Sequence, residues 1–551
     1  MKHPSRFLLA VLAAALSSCT IRLDFGGGGS SSANNNSTPS SSSVMPKPSS
    51  STPIISTEGK TVIGKNYRDL NLNNVYNLDC CPSTGNAKLL VIPIWFTDSS
   101  DCILPSKREN VREDIQKTYF GSPSDTGWHS VKSYYEAESF GKLNLSGTVS
   151  EWYECGKPSS AFASQSNGKE ATLALLPEAV DWYFANHTSD ARRNYDSDAN
   201  GHLDGVMLIY AALDYGTSKR GNETNLWAYC SWLQHRHDQE SNLLNPTPNV
   251  FFWASYDFMY DSVKALERTG KPYGGGDTSR LAIDAHTFIH EMGHVFGLVD
   301  YYDYGEGKRS PAAGFSMQDQ NVGGHDPYSV MAFGWADPYI PESSMTITLR
   351  PFQENHDLLL LTNKWNEYNS PFDEYILVEL YTPTGLNEAD SIHQYGNKCA
   401  QGPMKSGLRV WHVDSRLVEC LTVVGGNPVY SDSNITTKPL KEKGKNQGVA
   451  LAFSNSFNSP DYGTILGSSY DNFDLLRLIK NSSSSTLADT DNLKAADLFS
   501  DSKGSFNATS FSKQFPKGEK MNDGSTFAWT FDYEIAYEGL SVVAKIDLKR
   551  A

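Results

Sequence analysis

Two histidines four residues apart, with a glutamate beside the first, stand at His290-Glu291-Met292-Gly293-His294. On a helix, residues at this separation share a face, so both imidazoles can reach one ion. Glu291 then lies close enough to reach a water on that ion without ligating it. Zinc suits this set: it lowers the water's pKa towards neutrality, the carboxylate takes the proton, and the hydroxide can attack a peptide carbonyl. Gly297 follows three residues after His294, where a helix can end at positive φ. Asp300, three residues further on, offers a third ligand, and Asp303 offers a second carboxylate close by. The pattern predicts zinc on His290 and His294 with a carboxylate as third ligand, Asp300 first and Asp303 second, and Glu291 as general base.

A second group of oxygen-bearing residues runs Asp196, Asp198, Asn200, Gly201, His202, Asp204. Side-chain oxygens fall at positions 1, 3, 5 and 9 of an EF-hand-like loop, glycine at 6, and the His202 carbonyl at 7. Met207 stands where such a loop carries its bidentate glutamate. This predicts a structural calcium ion; the competing reading is an Asx-rich turn between helix and strand. His286, four residues before His290, falls on the same helical face and reads as an outer or surface residue. Tyr301, Tyr302 and Tyr328 are candidates to steady an oxyanion. His325 and His412 receive no role.

These residues need a scaffold, and the hydrophobic pattern supplies one. Continuous apolar runs at Lys88 to Phe96 and Val206 to Ala212 predict buried strands, and Lys142 to Trp152 alternates like a strand. Arg108 to Phe120, Val131 to Glu138 and Ala171 to Asn186 read as helices. Around the zinc motif, Ile283, Phe288, Ile289 and Met292 can line the inner side of a helix, with Asp284 as its cap. From about residue 345 the texture changes to short apolar or alternating runs punctuated by turn residues, including Met345 to Leu349, Tyr375 to Tyr381 and Leu408 to Val413.

The chain has 551 residues, too many for one ordinary core. Its 63 acidic against 47 basic side chains, net −16, exclude a nucleic-acid partner, because phosphates reward clustered cations. Lys2 and Arg6 precede an apolar run from Phe7 to Leu16 that is too short for a permanent membrane helix and reads as an export signal. It ends Leu16-Ser17-Ser18-Cys19, which resembles a bacterial lipobox and implies a lipid anchor on Cys19. The Gly/Ser/Pro-rich stretch that follows cannot bury a core and reads as a tether. Export makes disulfides possible, but seven cysteines beyond Cys19 is an odd number, and no CxxC pair suggests a zinc ribbon.

The motif HExxHxxGxxD, followed by an aromatic-rich turn, resembles the immune inhibitor A family of secreted bacterial zinc metallopeptidases. The likeness extends to Thr126-Gly-Trp-His-Ser-Val-Lys-Ser-Tyr-Tyr with Ser139-Phe-Gly-Lys-Leu, to Gly314-Phe-Ser-Met-Gln-Asp, to His325-Asp-Pro-Tyr-Ser-Val-Met-Ala-Phe-Gly-Trp, and to Phe372-Asp-Glu-Tyr and Gly407-Leu-Arg-Val-Trp-His-Val-Asp. Asp300 stands where metzincin peptidases place their third ligand, usually histidine and in some aspartate; Glu306 is too near to serve as the later glutamate of gluzincins. The resemblance implies a methionine turn beneath the metal, for which Met317 fits first and Met331 second. The expectation is an α+β protein with a signal over residues 1–19 and a disordered tether over 20–58. A metzincin-like peptidase domain of mixed sheet plus active-site helix then covers 59–344, and a β-rich, sandwich-like region covers 345–551. It would be a secreted or surface-tethered zinc endopeptidase acting on proteins or peptides, touching the membrane only through Cys19. The alternative is a non-catalytic surface lipoprotein using the same fold for adhesion or glycan binding. The intact trio of His290, Glu291 and His294 favours the enzyme.

Overall fold

The computed structural model describes residues 60–61, 80–126, 128–163, 168–213, 226, 228–233, 242–260, 283–302, 310–367, 371–395, 399–424, 427–437, 447–450, 473–538 and 541–551. The export signal, Cys19, the tether and Asp303 lie outside them.

The first half is built on a mixed sheet. Its strands are β1 (Gly85–Trp95), β2 (Leu143–Val149), β3 (Val206–Tyr210), β4 (Tyr229–Trp232) and β5 (Val250–Ser255), in the order β2-β1-β3-β5-β4. Tyr153–Glu154 pairs with the end of β1. The first four neighbours run parallel, and β4 is antiparallel to β5. The continuous apolar run of β1 is explained by cover on both faces. Leu89 and Val91 enter the core beneath helices α1 (Arg108–Phe120) and α2 (Val131–Glu138). Leu90, Ile92 and Ile94 enter a second core against α3 (Gly168–Asn186), through Leu175, Leu176, Ala179 and Val180. α2 starts with a reciprocal capping box between Ser130 and Ser133. Three more helices follow: α4 (His286–Val295), α5 (Met317–Gln320) and α6 (Pro327–Ala332).

The second half contributes β6 (Tyr339–Ile340), β7 (Met345–Leu349), β8 (Leu359–Leu361), β9 (Glu374–Tyr381), helix α7 (Glu388–Ile392), and β10 (Gly407–Asp414). After it come β11 (Leu417–Val424), β12 (Asn427–Thr436), β13 (Gln447–Ala450), β14 (Leu476–Ile479), β15 (Lys503–Phe506), β16 (Trp529–Glu538) and β17 (Ser541–Arg550). A six-stranded sheet runs Lys60–Thr61, β6, β8, β9, β10, β14; a four-stranded sheet runs β15, β16, β17, β7; β12, β11 and β13 form a third. On β9 the period of two divides the side chains between cores. Ile376, Val378 and Leu380 join Phe531, Ile546 and Leu548 of the four-stranded sheet. Tyr375, Leu377 and Tyr381 share a core with the zinc-motif helix.

The change of texture near residue 345 is therefore not a break in packing. One core takes buried side chains from Leu89 and Ile289 through to Trp411 and Leu478. A buried ion pair of the second half reaches the first through a hydrogen bond. Glu379 of β9 stands in register with Arg409 of β10, at 2.7 Å between Oε1 and Nε. Trp411 Nε1 donates to the same carboxylate at 3.0 Å, and Arg409 Nη1 donates to the carbonyl of Phe315 at 3.2 Å, two residues before α5. Burial pushes the Glu379 carboxyl up, and Arg409 offsets that only in part. Arg409→Met, which leaves this charge buried alone, is expected to lower unfolding free energy by about 3–5 kcal/mol in denaturant titration. Adding Glu379→Gln should return part of it, and a loss below about 1 kcal/mol for the single variant would mean that the pair does not anchor the two halves.

Candidate metal centre

Helix α4 carries the motif, and all ten of its residues are buried. Phe288, Ile289, Met292 and Val295 enter the core, as their spacing predicts, and Phe288 packs edge-on to Phe252 of β5 at 5.7 Å. Tyr135 of α2 donates its hydroxyl to the carbonyl of Ile289 at 2.7 Å. The helix ends at Gly297, whose φ is 107°. Gly297 N donates to His294 O and Leu298 N to Gly293 O, which is the double bond of a Schellman stop. Asp284 departs from the expected cap: the residue before the helix is Ala285, and Asp284 instead receives the backbone N–H and ring Nδ1–H of His286.

The stop turns the chain back so that Asp300 meets the two histidines. Its Oδ1 lies 2.9 Å from His290 Nε2 and 3.2 Å from His294 Nε2. Among the described residues this is the one trio of His, Cys, Asp or Glu ligand atoms converging on a point, all within 4.8 Å of one another. A tetrahedral zinc ion with bonds of ~2.0–2.1 Å separates its donors by ~3.3 Å, so the set fits such an ion with small outward shifts. The tautomers fit as well. His290 Nδ1–H donates to the carbonyl of Met317 at 2.7 Å, and His294 Nδ1–H to that of Leu298 at 2.9 Å. Both Nε2 lone pairs are thereby turned towards the shared point. Burial alone would lower the pKa of His294, but the charge of Asp300 overrides it and holds it at about 9. Burial would raise Asp300, and the two histidines instead hold it well below the usual carboxylate range. A cation between them would replace the proton that this ion pair shares.

Glu291 is fully buried on the same helix. Its charge adds to burial in raising the Tyr119 hydroxyl and the Cys230 thiol, and helps raise His294. Tyr301 spends its hydroxyl on Ser329 Oγ at 2.9 Å. Met317 reaches His290 by its carbonyl, and the side chains of Met317 and Met331 both belong to the core.

His286 is buried rather than at the surface. Its ring is stacked between Trp128 (centroids 4.1 Å apart) and Tyr395 (4.2 Å). Nδ1 reaches Asp284 at 2.7 Å and Nε2 reaches Asp390 of α7 at 3.3 Å. Three further residues near the site had no assigned role in the sequence. Glu138 of α2 pairs with His325, and Gln318 of α5 lies between His325 and Gly293. The partners of the Glu138–His325 pair are 187 residues apart, so no local pattern announces them.

The Asp196 loop is arranged as a set of Asx turns. Asp196 accepts from the N–H groups of Asn200 and Gly201, and Asn200 Oδ1 from that of His202. Asp204 accepts from Ser197 N and Oγ and from Lys88 N of β1. Gly201 has φ 87°, as the sixth position of the expected loop requires. Burial pushes Asp204 up to about 6, with the Ser197 and Lys88 donors opposing it. Asp196 and Asp204 hold backbone N–H groups of the loop and of β1, and the loop's carboxylates do not form a converging trio like that at α4.

Residues 84–321 match the family model described as immune inhibitor A peptidase M6, catalytic domain. Two curated proteins named pre-pro-metalloprotease PrtV are similar to the chain, from the Vibrio cholerae serotype O1 strains M66-2 and ATCC 39315 / El Tor Inaba N16961. Each is 24% identical over 252 residues, which covers 41% of this chain and 25% of the relative. The chain thus spans about a quarter of the length of these relatives.

His286 generates a pH test. Burial would lower its pKa, but Asp284 and Asp390 reverse this and raise it from 6.5 to about 10. A folded-state value above the unfolded one stabilises fully below about pH 6.5, and that stabilisation is lost as pH rises through about 10. His286→Gln should lower the melting temperature by a few degrees at pH 6 to 7, with the gap to wild type closing towards pH 10. A gap that widens with rising pH would contradict the charged sandwich.

Proposed function

We propose, from the premise that residues 84–321 match the immune inhibitor A peptidase catalytic-domain model, that the chain is a zinc-dependent endopeptidase of proteins or peptides. The observation that carries this reading is the convergence of two tautomer-fixed imidazoles and one carboxylate on a single point. Zinc, when bound, supplies Lewis acidity that brings a water's pKa near neutrality and polarises a carbonyl. His290, His294 and Asp300 would hold it, and Asp300 leaves the set with one net negative charge towards the ion. Glu291, one residue from a ligand and fully buried, would take a proton from a water held there and keep it in a site shielded from bulk solvent. The carbonyls of Met317 and Leu298 keep both rings oriented throughout.

Metzincin-like details of the fold, a sandwich-like second half and export with a lipid on Cys19 belong to the same proposal. The motif order, the facing of the two sheets across one core and the Leu16-Ser17-Ser18-Cys19 segment support them. Among the described residues no helix is long and apolar enough to cross a membrane. A structural calcium ion in the Asp196 to Asp204 loop is also part of the reading, supported by residue order and by the φ of Gly201.

Purified protein should hydrolyse casein, lose that activity to a zinc chelator and regain it with added zinc, while Glu291→Ala loses at least about a thousandfold. Undiminished hydrolysis by Glu291→Ala would sink the mechanism, and absence of hydrolysis in zinc-loaded wild type would favour the adhesion or glycan-binding alternative. For the loop, calcium should raise the melting temperature of wild type by several degrees and that of Asp198→Ala by much less. No calcium-dependent rise in wild type would leave the loop as an Asx turn alone.

A further inference from the structure

The orientation and tautomer of the His290 ring depend on the Met317 carbonyl, and that carbonyl sits on the one-turn helix α5. Such a short element cannot hold itself in place, since one turn gains too few hydrogen bonds to offset its ordering. Its support comes from buried side chains on other elements. Glu138, the last residue of α2, accepts from His325 twice, from the ring Nδ1–H at 2.5 Å and from the backbone N–H at 2.6 Å. The opposite ring nitrogen of His325 meets the Gln318 carboxamide at 3.3 Å. That carboxamide lies against Gly293, inside the zinc motif, where a Cβ would overlap it. Gln318 also fixes the backbone beside Asp300, because its carbonyl accepts from Tyr301 N at 2.9 Å. Glu138, His325 and Gln318 are all buried.

We infer that Glu138, His325 and Gln318 form a positioning relay that presses α5 against Gly293 and so sets both the Met317 carbonyl on His290 and the approach of Asp300. None of the three touches the ligand point, and their action passes through other residues. The relay gives Gly293 a reason for being glycine: the carboxamide occupies the space a side chain would need. It also explains why α2 ends beside the site, with Tyr135 on the carbonyl before His290 and Glu138 on His325. The turn bearing His325 is fastened from the far side, where Asp390 accepts from Gly323 N at 2.7 Å and Asn387 from Gly324 N at 3.0 Å.

This inference rests on the zinc-peptidase reading, and metal affinity measured by chelator competition on the full chain separates the two. Glu138→Gln keeps the volume but removes the charge that binds His325. It is expected to raise the zinc dissociation constant about 10–100-fold, and to shrink the zinc-induced rise in melting temperature accordingly. A merely structural role would lower the metal-free melting temperature and leave zinc affinity within about twofold, and that result would overturn the relay. A second set guards against misfolding of the first variant. Gly293→Ala should weaken zinc binding, and Gly293→Ala with Gln318→Ala should bind no more weakly than Gln318→Ala alone, because the clash is gone; additive losses would overturn it. Wild type that binds no zinc would sink both readings, whereas tight zinc binding unaffected by Glu138→Gln would sink the relay alone.

Discussion

An imidazole has two nitrogens, and a metal ligand must keep its proton on the one facing away from the ion. That constraint governs the region around α4. The helix alone brings His290 and His294 to one side, but it cannot fix which nitrogen each ring presents. Two carbonyls do so, and they come from different kinds of structure. Leu298 is delivered by the helix's own Schellman stop, four residues after His294. Met317 arrives 27 residues after His290 and depends on packing from elsewhere. One half of the orientation is local and the other half is tertiary.

The tertiary half explains why the β-rich portion cannot be a detachable appendage. The segment around α5 is held from several sides by later residues. Arg409 reaches Phe315, Asp390 and Asn387 hold the turn at residues 323–324, and Gln320 binds Asn492 and the N–H of Ala400. These contacts are polar, and those of Arg409, Asp390 and Asn387 are buried, where a missing partner is costly. They join the apolar core that runs beneath both halves. Geometry at the ligands is thus set in part by residues of the second half, from Asn387 to Asn492.

Sequence made local chemistry legible and left long-range pairing dark. The motif spacing announced the ligand face, and Gly297 announced the helix stop that the φ of 107° realises. Continuous apolar runs identified β1 and β3, because strands covered on both faces have no polar alternation to hide them. Helices α1 and α2 stand at the residues their periodicity marked. For His286 the sequence left an outer and a surface position open, because the partners that bury it, Asp390 and Tyr395, lie about a hundred residues away. Glu138 carries no local signal for the same reason, its partner His325 standing 187 residues away. Nor does a shift to short strands near residue 345 reveal that the new sheet turns one of its faces back into the old core.

The N-terminal edge of the described body carries a consequence for anyone shortening the chain. Cys81 N donates to the carbonyl of Val295 at 2.9 Å, and Cys80 Sγ lies against Gly297, so residues just before β1 close over the end of the ligand-bearing helix. Both cysteines are buried, and similarity to the peptidase family starts only at residue 84. A cut placed at that boundary would keep every ligand and the whole central sheet yet remove the lid from the helix stop. The smallest chain with an intact stop begins before Cys80, and the unit that folds is wider than the unit that similarity outlines.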